Sequence, residues 1–445
     1  MGVRTRYASW TAALFALGLG LGCGSTAEEA GEAAAAAANA APIDTQQGGT
    51  AAWARRLGGL GDELIVAAAA APDGGIVLVT SNGGAAATGK PEALGLVRLR
   101  ADGSNAWSRV YPMRGVAYTE VSVAVTGLGN VFFAVRAPCL ATEPCPDFGG
   151  GPVPAPGAER ARTPIVLVKL SPAGAFTWQR TEAAGFGLSP VAVDPNGSAA
   201  IGLVRPVLGG PNQPRIVKYR WDGTRLWDLP APDLDGDGTG WPTALSFDPA
   251  GNLAIGDGTA FGSLDPAGTV RWRARLSPTP VSGRVVSIGA TAMGTVVALV
   301  QHGQGAISWA GTQGAAVAQP RDTALFLAVA EGSGAPRFGR VIAADGRQPV
   351  GAAVDPAGRV AILTHGPTAC SDRLERWNLA GDELWARLLD GCGTSGTMEW
   401  RGIVVDPVSH HVRTVGALGG TVTFGDGVGA TSKGGSDDLL LDVMP

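Results

Sequence analysis

Short apolar runs separated by turn residues make up the chain from Trp53 onward. Between residues 190 and 228, for example, such runs cover 190–194, 198–204, 216–221 and 224–228. A sustained apolar period of 3.6 residues is not found, and runs of this length between turn signals are typical of β-strands. The pattern therefore predicts an all-β protein.

Two kinds of turn alternate along the chain. The first kind is Asp-Pro-x-Gly or a relative of it, as at 194–197, 248–251 and 355–358. The second kind ends in a glycine that precedes an aromatic residue by four positions, as at Gly174 and Gly223. Proline fixes φ at the first central turn position and glycine supplies a positive φ, so both kinds predict β-hairpins.

An aromatic residue recurs four positions after each glycine of the second kind. These residues are Trp53, Trp107, Trp178, Trp227, Trp272, Phe338 and Trp385. Trp309 and Trp400 share the spacing from a glycine but lack the flanking pattern. We expect each of the seven to lie on the outer strand of its unit and to pack on the next unit, burying on the order of 150–250 Å². Aromatic platforms for a glycan or a quinone are the alternative.

The two turn kinds divide the chain into seven units of four strands, named A to D from the inside outward. The first strand, around Trp53, is a D strand, whereas residues 437–443 form a C strand with no D strand after it. We therefore expect the N-terminal strand to pair with the C-terminal one and to close a ring, which removes the exposed sheet edges. Residues 50–445 are predicted to form a seven-bladed β-propeller with four-stranded blades; a pair of β-sandwiches is the alternative.

Several phrases resemble the bacterial SBBP propeller repeat. They are the run at 57–62 followed by 71–79, and Phe-Gly-x-Gly at 148–151 and 424–427. The glycine-x-x-x-tryptophan element is similar to the tryptophan-docking motif of quinoprotein-like propellers. The resemblance covers roughly residues 50–445. It implies an exported, often surface-attached propeller, and it supplies no catalytic residue.

The first fifty residues predict export and a lipid anchor. Arg4 and Arg6 precede an apolar stretch at 10–21, which is too short to span a bilayer. The sequence Gly-Leu-Gly-Cys that ends at Cys23 is similar to the bacterial lipobox. We therefore interpret residues 1–22 as a signal peptide and Cys23 as diacylated. The alternative is an ordinary secretory signal that contains a cysteine.

Residues 23–49 are rich in alanine, glutamate and glycine and are predicted to be a tether, which as a coil would reach roughly 30 Å. The expected location is the cell envelope, as an outer-membrane lipoprotein that faces the periplasm or the cell surface, with secretion as the alternative. The net charge of −4 gives no basic footprint for nucleic acid. The expected partners are the membrane, through Cys23, and a protein or glycan of unknown identity, and the chain is expected to be a monomer.

All insertions are predicted to lie on one face of the propeller, because B–C and D–A connections share that face. The long B–C insertions are residues 137–162, 302–321 and 418–436. In an exported protein the four cysteines that follow Cys23 predict two disulfides, Cys139–Cys145 and Cys370–Cys392. Free buried thiols are the alternative.

Asp233, Asp235 and Asp237 match the first half of a calcium-binding loop. The second half fails, because position twelve is Ala244, where a bidentate glutamate is needed. A calcium site at the three aspartates and a solvated acidic turn are the two interpretations, and no other cofactor is expected.

No nucleophile elbow, phosphate-binding Gly-rich loop with its lysine, or HExxH run occurs in the sequence, and His410 and His411 fall at a turn. We therefore predict a binding or scaffold module rather than an enzyme. An envelope hydrolase or lyase with its site at the propeller channel is one alternative. An assembly factor for other envelope proteins is another.

Overall fold

The strands of the protein form antiparallel sheets that are arranged in a ring. The structure is a computed structural model that describes residues 51–57, 62–83, 91–113, 120–137, 139, 145–154, 164–182, 186–188, 190–207, 210–234, 236, 240–276, 283–303, 309, 324–343, 346–368, 371–389, 397–424 and 428–445.

The first strand in the chain, β1 (Ala51–Leu57), is the outermost strand of the last blade, blade 7. The strands of blades 1 to 3 follow it. Blade 1 contains β2 (Asp62–Ala70), β3 (Ile76–Gly83), β4 (Pro91–Leu99) and β5 (Asn105–Pro112). Blade 2 contains β6 (Val121–Val125), β7 (Val131–Arg136), β8 (Ile165–Leu170) and β9 (Phe176–Glu182). Blade 3 contains β10 (Phe186–Leu188), β11 (Ala192–Val193), β12 (Ala199–Arg205), β13 (Gln213–Tyr219) and β14 (Arg225–Pro230).

The remaining strands complete blades 4 to 7. Blade 4 contains β15 (Pro242–Phe247), β16 (Leu253–Asp257), β17 (Ala260–Leu264) and β18 (Val270–Arg275). Blade 5 contains β19 (Gly283–Ala290), β20 (Val296–His302), β21 (Ala324–Ala330) and β22 (Pro336–Ala343). Blade 6 contains β23 (Gln348–Val354), β24 (Val360–His365), β25 (Arg373–Trp377) and β26 (Glu383–Leu388). Blade 7 contains β27 (Thr397–Val405), β28 (Val412–Thr423), β29 (Gly429–Val443) and β1.

The inner strands stand side by side around a central channel. Strand β2 packs against β6 and β27, and β19 packs against β15 and β23. The B and C strands are almost wholly apolar and buried, as in β7, β8 and β21, because both faces of each blade are covered by neighbouring blades. The seven-bladed propeller predicted from the sequence is confirmed.

The two ends of the chain close the ring. Ala51 pairs with Val443 and Leu57 pairs with Asp438, so β1 is the D strand of blade 7. Arg56 strengthens this pairing through a 3.0 Å ion pair with the buried carboxylate of Asp437. The predicted closure by pairing of the N-terminal and C-terminal strands is present.

Two local predictions were wrong. Residues 418–436 are mostly strand rather than a loop, because β28 and β29 continue as a hairpin in which Thr421 pairs with Thr431. β-Branched residues favour this extension. The inner strand of blade 3, expected at 190–194, is split into β10 and β11, and Pro190, which cannot donate a backbone hydrogen bond, lies between them.

In the described part of the chain, every repeat aromatic except Trp385 lies beside the turn glycine of the following blade. Trp107 and Trp178 donate their indole N–H to the carbonyl oxygens of Pro172 and Trp221, each at 2.9 Å. The turn glycine leaves room for the ring: a Cβ added at Gly174 would lie 2.7 Å from Trp107. The other glycines that face a repeat aromatic of the preceding blade are Gly103, Gly223, Gly268, Gly334 and Gly381.

A buried cation supports several of these contacts, a feature that the sequence patterns did not reveal. It lies on the C strand opposite the aromatic, at Arg98, Lys169, Lys218 and Arg376. Lys169 donates to the same carbonyl of Trp221 that Trp178 uses, at 2.7 Å. Blades 1 and 2 are therefore held to the following blade by ring packing and by charge-assisted hydrogen bonds from Arg98 and Lys169 to backbone carbonyls. Lys218 and Arg376 instead pair with Asp194 and Asp355 of their own blades.

Candidate functional site: the insertion-bearing face and the channel

The insertion-bearing face is the face at which B strands and D strands end. The connection between β7 and β8 is made at this face, and β28 and β29 extend beyond it. The opposite face carries both kinds of hairpin turn, and we call it the hairpin face. The non-repeating part of the sequence is thus concentrated on one side of the ring.

The insertion in blade 2 contains a compact loop. Cys139 and Cys145 form a disulfide. Asp147 accepts hydrogen bonds from the N–H groups of Gly149 at 2.7 Å and Gly151 at 3.0 Å. Gln179, on strand β9, donates to the carbonyl of Gly151 at 3.1 Å. These bonds fix the loop to the outer strand of its own blade.

An aromatic side chain anchors this loop from below. Phe148 is fully buried, and its ring lies 5.4 Å from that of Tyr111 in blade 1 and 5.7 Å from that of Phe133 in blade 2. A Cβ at Gly150 would lie 2.4 Å from the ring of Phe176, so the loop needs glycine there to approach the blade. The insertion is therefore seated over the junction of two blades.

Two further insertions have an aromatic anchor of the same kind. Trp309 is buried and its ring lies 5.4 Å from that of Phe261 in the preceding blade. Phe424 is buried against Trp400 at 6.0 Å, and its carbonyl accepts a hydrogen bond from Arg387 of blade 6. The repeat pattern assigned no role to Trp309. The sequence signal that could have identified it as an anchor is a single aromatic residue within a glycine-rich insertion.

The channel forms a cavity of about 670 Å³ that is lined mostly by residues with aliphatic side chains and also by polar atoms. Its wall includes Ile65, Val123 and Val350, and the charged residues among its described lining are Glu120 and Arg401. One carboxylate oxygen of Glu120 accepts the N–H of Leu188 at 2.8 Å. A general acid–base mechanism needs two titratable groups in reach of one substrate, and the described lining offers one carboxylate.

A histidine lies where blades 6 and 7 meet on the insertion-bearing face. The Nδ1 atom of His365 is 3.3 Å from Asp372, and its Nε2 atom is 3.0 Å from the carbonyl of Trp400. The hydrogen bond with Asp372 raises the pKa of His365 above its usual value. Both partners are acceptors, so the doubly protonated ring satisfies both and links the two blades.

Several predicted site residues lie outside the described residues, namely Cys23, Asp235, Asp237, Cys370 and Cys392. Asp233 is described, and its carboxylate accepts the N–H of Gly236 at 2.7 Å, which is the geometry of a capped turn. Among the described residues no three His, Cys, Asp or Glu side chains are grouped as a metal site. The calcium site and the Cys370–Cys392 disulfide stay predictions.

The fold and the insertions define the protein as a β-propeller with one elaborated face. No protein-family model matches the sequence, and a search of curated proteins gives no match. No helix in the described part of the chain is long and apolar enough to cross a membrane.

Three solved structures illustrate the likeness of fold. The polysaccharide lyase Uly1 is 11% identical, with a TM-score of 0.46 over 92% of this chain and 95% of that one. The Pan2 WD40 domain of Neurospora crassa is 8% identical, with a TM-score of 0.45 over 86% of this chain and 95% of that one. A protein of unknown function from Bacteroides caccae is 12% identical, with a TM-score of 0.35 over 62% and 81%. At these values the likenesses carry no argument about function.

Proposed function

We propose that the protein is an exported, lipid-anchored β-propeller that acts as a binding or scaffold module at the cell envelope. Its partner, a protein or a glycan, would bind on the insertion-bearing face. The observation that carries the proposal is the set of insertions whose buried aromatics, Phe148, Trp309 and Phe424, fix them to the blades. A pre-formed surface reduces the entropy that binding has to overcome.

The channel lining supports binding over catalysis as the role of this propeller. Its described wall carries one carboxylate, Glu120, which already has a backbone partner. His365 also has both ring nitrogens occupied by protein acceptors. A base with no free nitrogen is poorly placed to take a proton from a substrate.

The partner site can be tested by replacing residues 155–163 with a short glycine-serine link. This change removes the part of the insertion that follows residue 154 but leaves the Cys139–Cys145 disulfide and the Phe148 anchor in place. We expect affinity-tagged protein to lose its envelope partner while its melting temperature is unchanged. Leu128→Asp, on the hairpin face, is the control and should retain the partner. Retention of the same partner by the shortened chain would place the site elsewhere.

The lipid anchor is tested separately by metabolic labelling with palmitate. The wild-type chain should be labelled and fractionate with membranes, whereas Cys23→Ser should be unlabelled. Equal labelling of the two chains would refute lipidation at Cys23.

A further inference from the structure

The hairpin face carries an apolar rim around the channel. The four most exposed large hydrophobic side chains in the described part of the chain are all at its turns: Met293 at 88%, Leu128 at 79%, Val408 at 64% and Trp221 at 57%. The first three lie on A–B hairpins, which surround the channel because A and B are the inner strands. We call these four residues the apolar rim.

The remaining A–B hairpins add one exposed charge at their tips, Asp73 in blade 1, which forms a 2.8 Å ion pair with Arg98. The central turn residues are Pro195 and Asn196 in blade 3, Pro249 and Ala250 in blade 4, and Pro356 and Ala357 in blade 6, and all six are exposed. Charged tips are found farther out, on the C–D hairpins, where Asp102 and Asp222 are exposed. The centre of the face is therefore mostly uncharged and exposes Leu128, Met293 and Val408, whereas its periphery exposes Trp221 beside charged side chains.

The chain enters the propeller on this same face. Ala51 pairs with Val443, and Val443 pairs with Val412, which directly follows the A–B hairpin of blade 7. A D strand always starts at the hairpin face, and β1 is a D strand. Residues 24–50 therefore connect Cys23 to the side of the molecule that carries the apolar rim.

We propose that the hairpin face rests on the phospholipid bilayer, with the apolar rim entering its interface. This inference rests on the lipid anchor in the proposed function and adds the orientation of the anchored domain. Leucine, methionine and valine side chains enter the acyl boundary, and a tryptophan such as Trp221 prefers the headgroup level. A tether ending at the same face raises the local concentration of the rim at the bilayer, so weak contacts suffice. The insertion-bearing face then points away from the membrane.

The test uses residues 23–445 with Cys23→Ser, which carry neither the predicted signal peptide nor the lipid, and vesicles of phosphatidylethanolamine with a minor fraction of phosphatidylglycerol. Leu128→Asp, Met293→Asp and Val408→Asp are combined in this background. The matched control combines Val110→Asp, Leu384→Asp and Leu388→Asp, which replace exposed apolar side chains on the outer strands β5 and β26. Circular dichroism and melting temperature check that both variants fold.

We expect co-sedimentation with vesicles to fall about tenfold or more in the rim variant, because three apolar side chains that would enter the bilayer interface are replaced by charged ones. Co-sedimentation of the control variant should persist. Equal vesicle binding by the rim variant and its parent would overturn the proposal, as would an equal loss in the control. If the rim variant binds vesicles as well as its parent while Cys23 is labelled and the partner is retained, only the proposed orientation is wrong. If Cys23 is not labelled by palmitate, the lipid anchor itself is wrong.

Discussion

At the scale of single residues, cohesion between blades depends on glycines that face an indole. Gly174 has a φ of +75°, and a Cβ there would lie 2.7 Å from Trp107. We expect Gly174→Ala to lower the free energy of unfolding by about 2–4 kcal/mol, because it adds a left-handed alanine and displaces the ring. Urea unfolding measures the effect.

Gly346→Ala separates the cost of backbone strain from the cost of displacing the indole ring. Gly346 has a φ of +83° and no atom within 4 Å of the added Cβ, so this variant changes only the backbone strain. It should cost about 1–2 kcal/mol. An equal loss in the two variants would show that the docked indole contributes nothing.

The sequence was sufficient to predict the aromatic positions but not the cations beside them. The spacing from turn glycine to tryptophan is local, so it is visible in one chain segment. Lys169, by contrast, is defined by the carbonyl of Trp221, which belongs to the next blade. In sequence it is an ordinary lysine within an apolar strand, and only the ring geometry shows why its charge is satisfied there.

At the scale of the element, the histidine link between blades 6 and 7 makes their junction dependent on pH. The partners of His365 raise its pKa in the folded state above the unfolded value of about 6.5. Its contribution is therefore complete below about pH 6.5 and is lost as the pH rises through the folded pKa.

The expected outcome is that His365→Gln destabilises the protein more at pH about 5.5 than at pH about 8.5. The urea midpoints of the wild-type protein and the variant over this pH range measure the difference in stability. Groups that titrate in both proteins contribute equally to each midpoint, so their effect largely cancels in this difference. A difference that stays constant with pH would contradict the link.

The elements themselves followed from turn chemistry, except at an insertion and at the inner strand of blade 3. Asp-Pro-x-Gly turns located the A–B hairpins because proline and glycine restrict φ locally. The limits of β28 and β29 were missed, since glycines such as Gly419 and Gly420 resemble a loop although they lie within a strand. The anchors Phe148, Trp309 and Phe424 were missed as a group because their neighbours are distant in sequence.

At the scale of the whole molecule, the ring depends on β1. Removing residues 1–57 takes away Trp53 and the ion pair of Arg56 with Asp437, and it exposes the edge of β29. We expect a loss of stability of at least about 3–5 kcal/mol, because the half-buried Trp53 and the buried Leu57 are lost together, and we expect self-association in size-exclusion chromatography. Removal of residues 1–48 keeps β1 and is the control. Equal stability of the two truncated chains would contradict closure by β1.

The central claim is that the two faces of the propeller meet different surroundings at the envelope. It is tested most directly by photo-cross-linking in cells, with a photoreactive residue placed at Pro154 on the insertion-bearing face or at Val408 on the hairpin face, both exposed. The account predicts a protein or glycan adduct from position 154 and a phospholipid adduct from position 408. Lipid adducts from position 154, or the same macromolecular adduct from both positions, would contradict it.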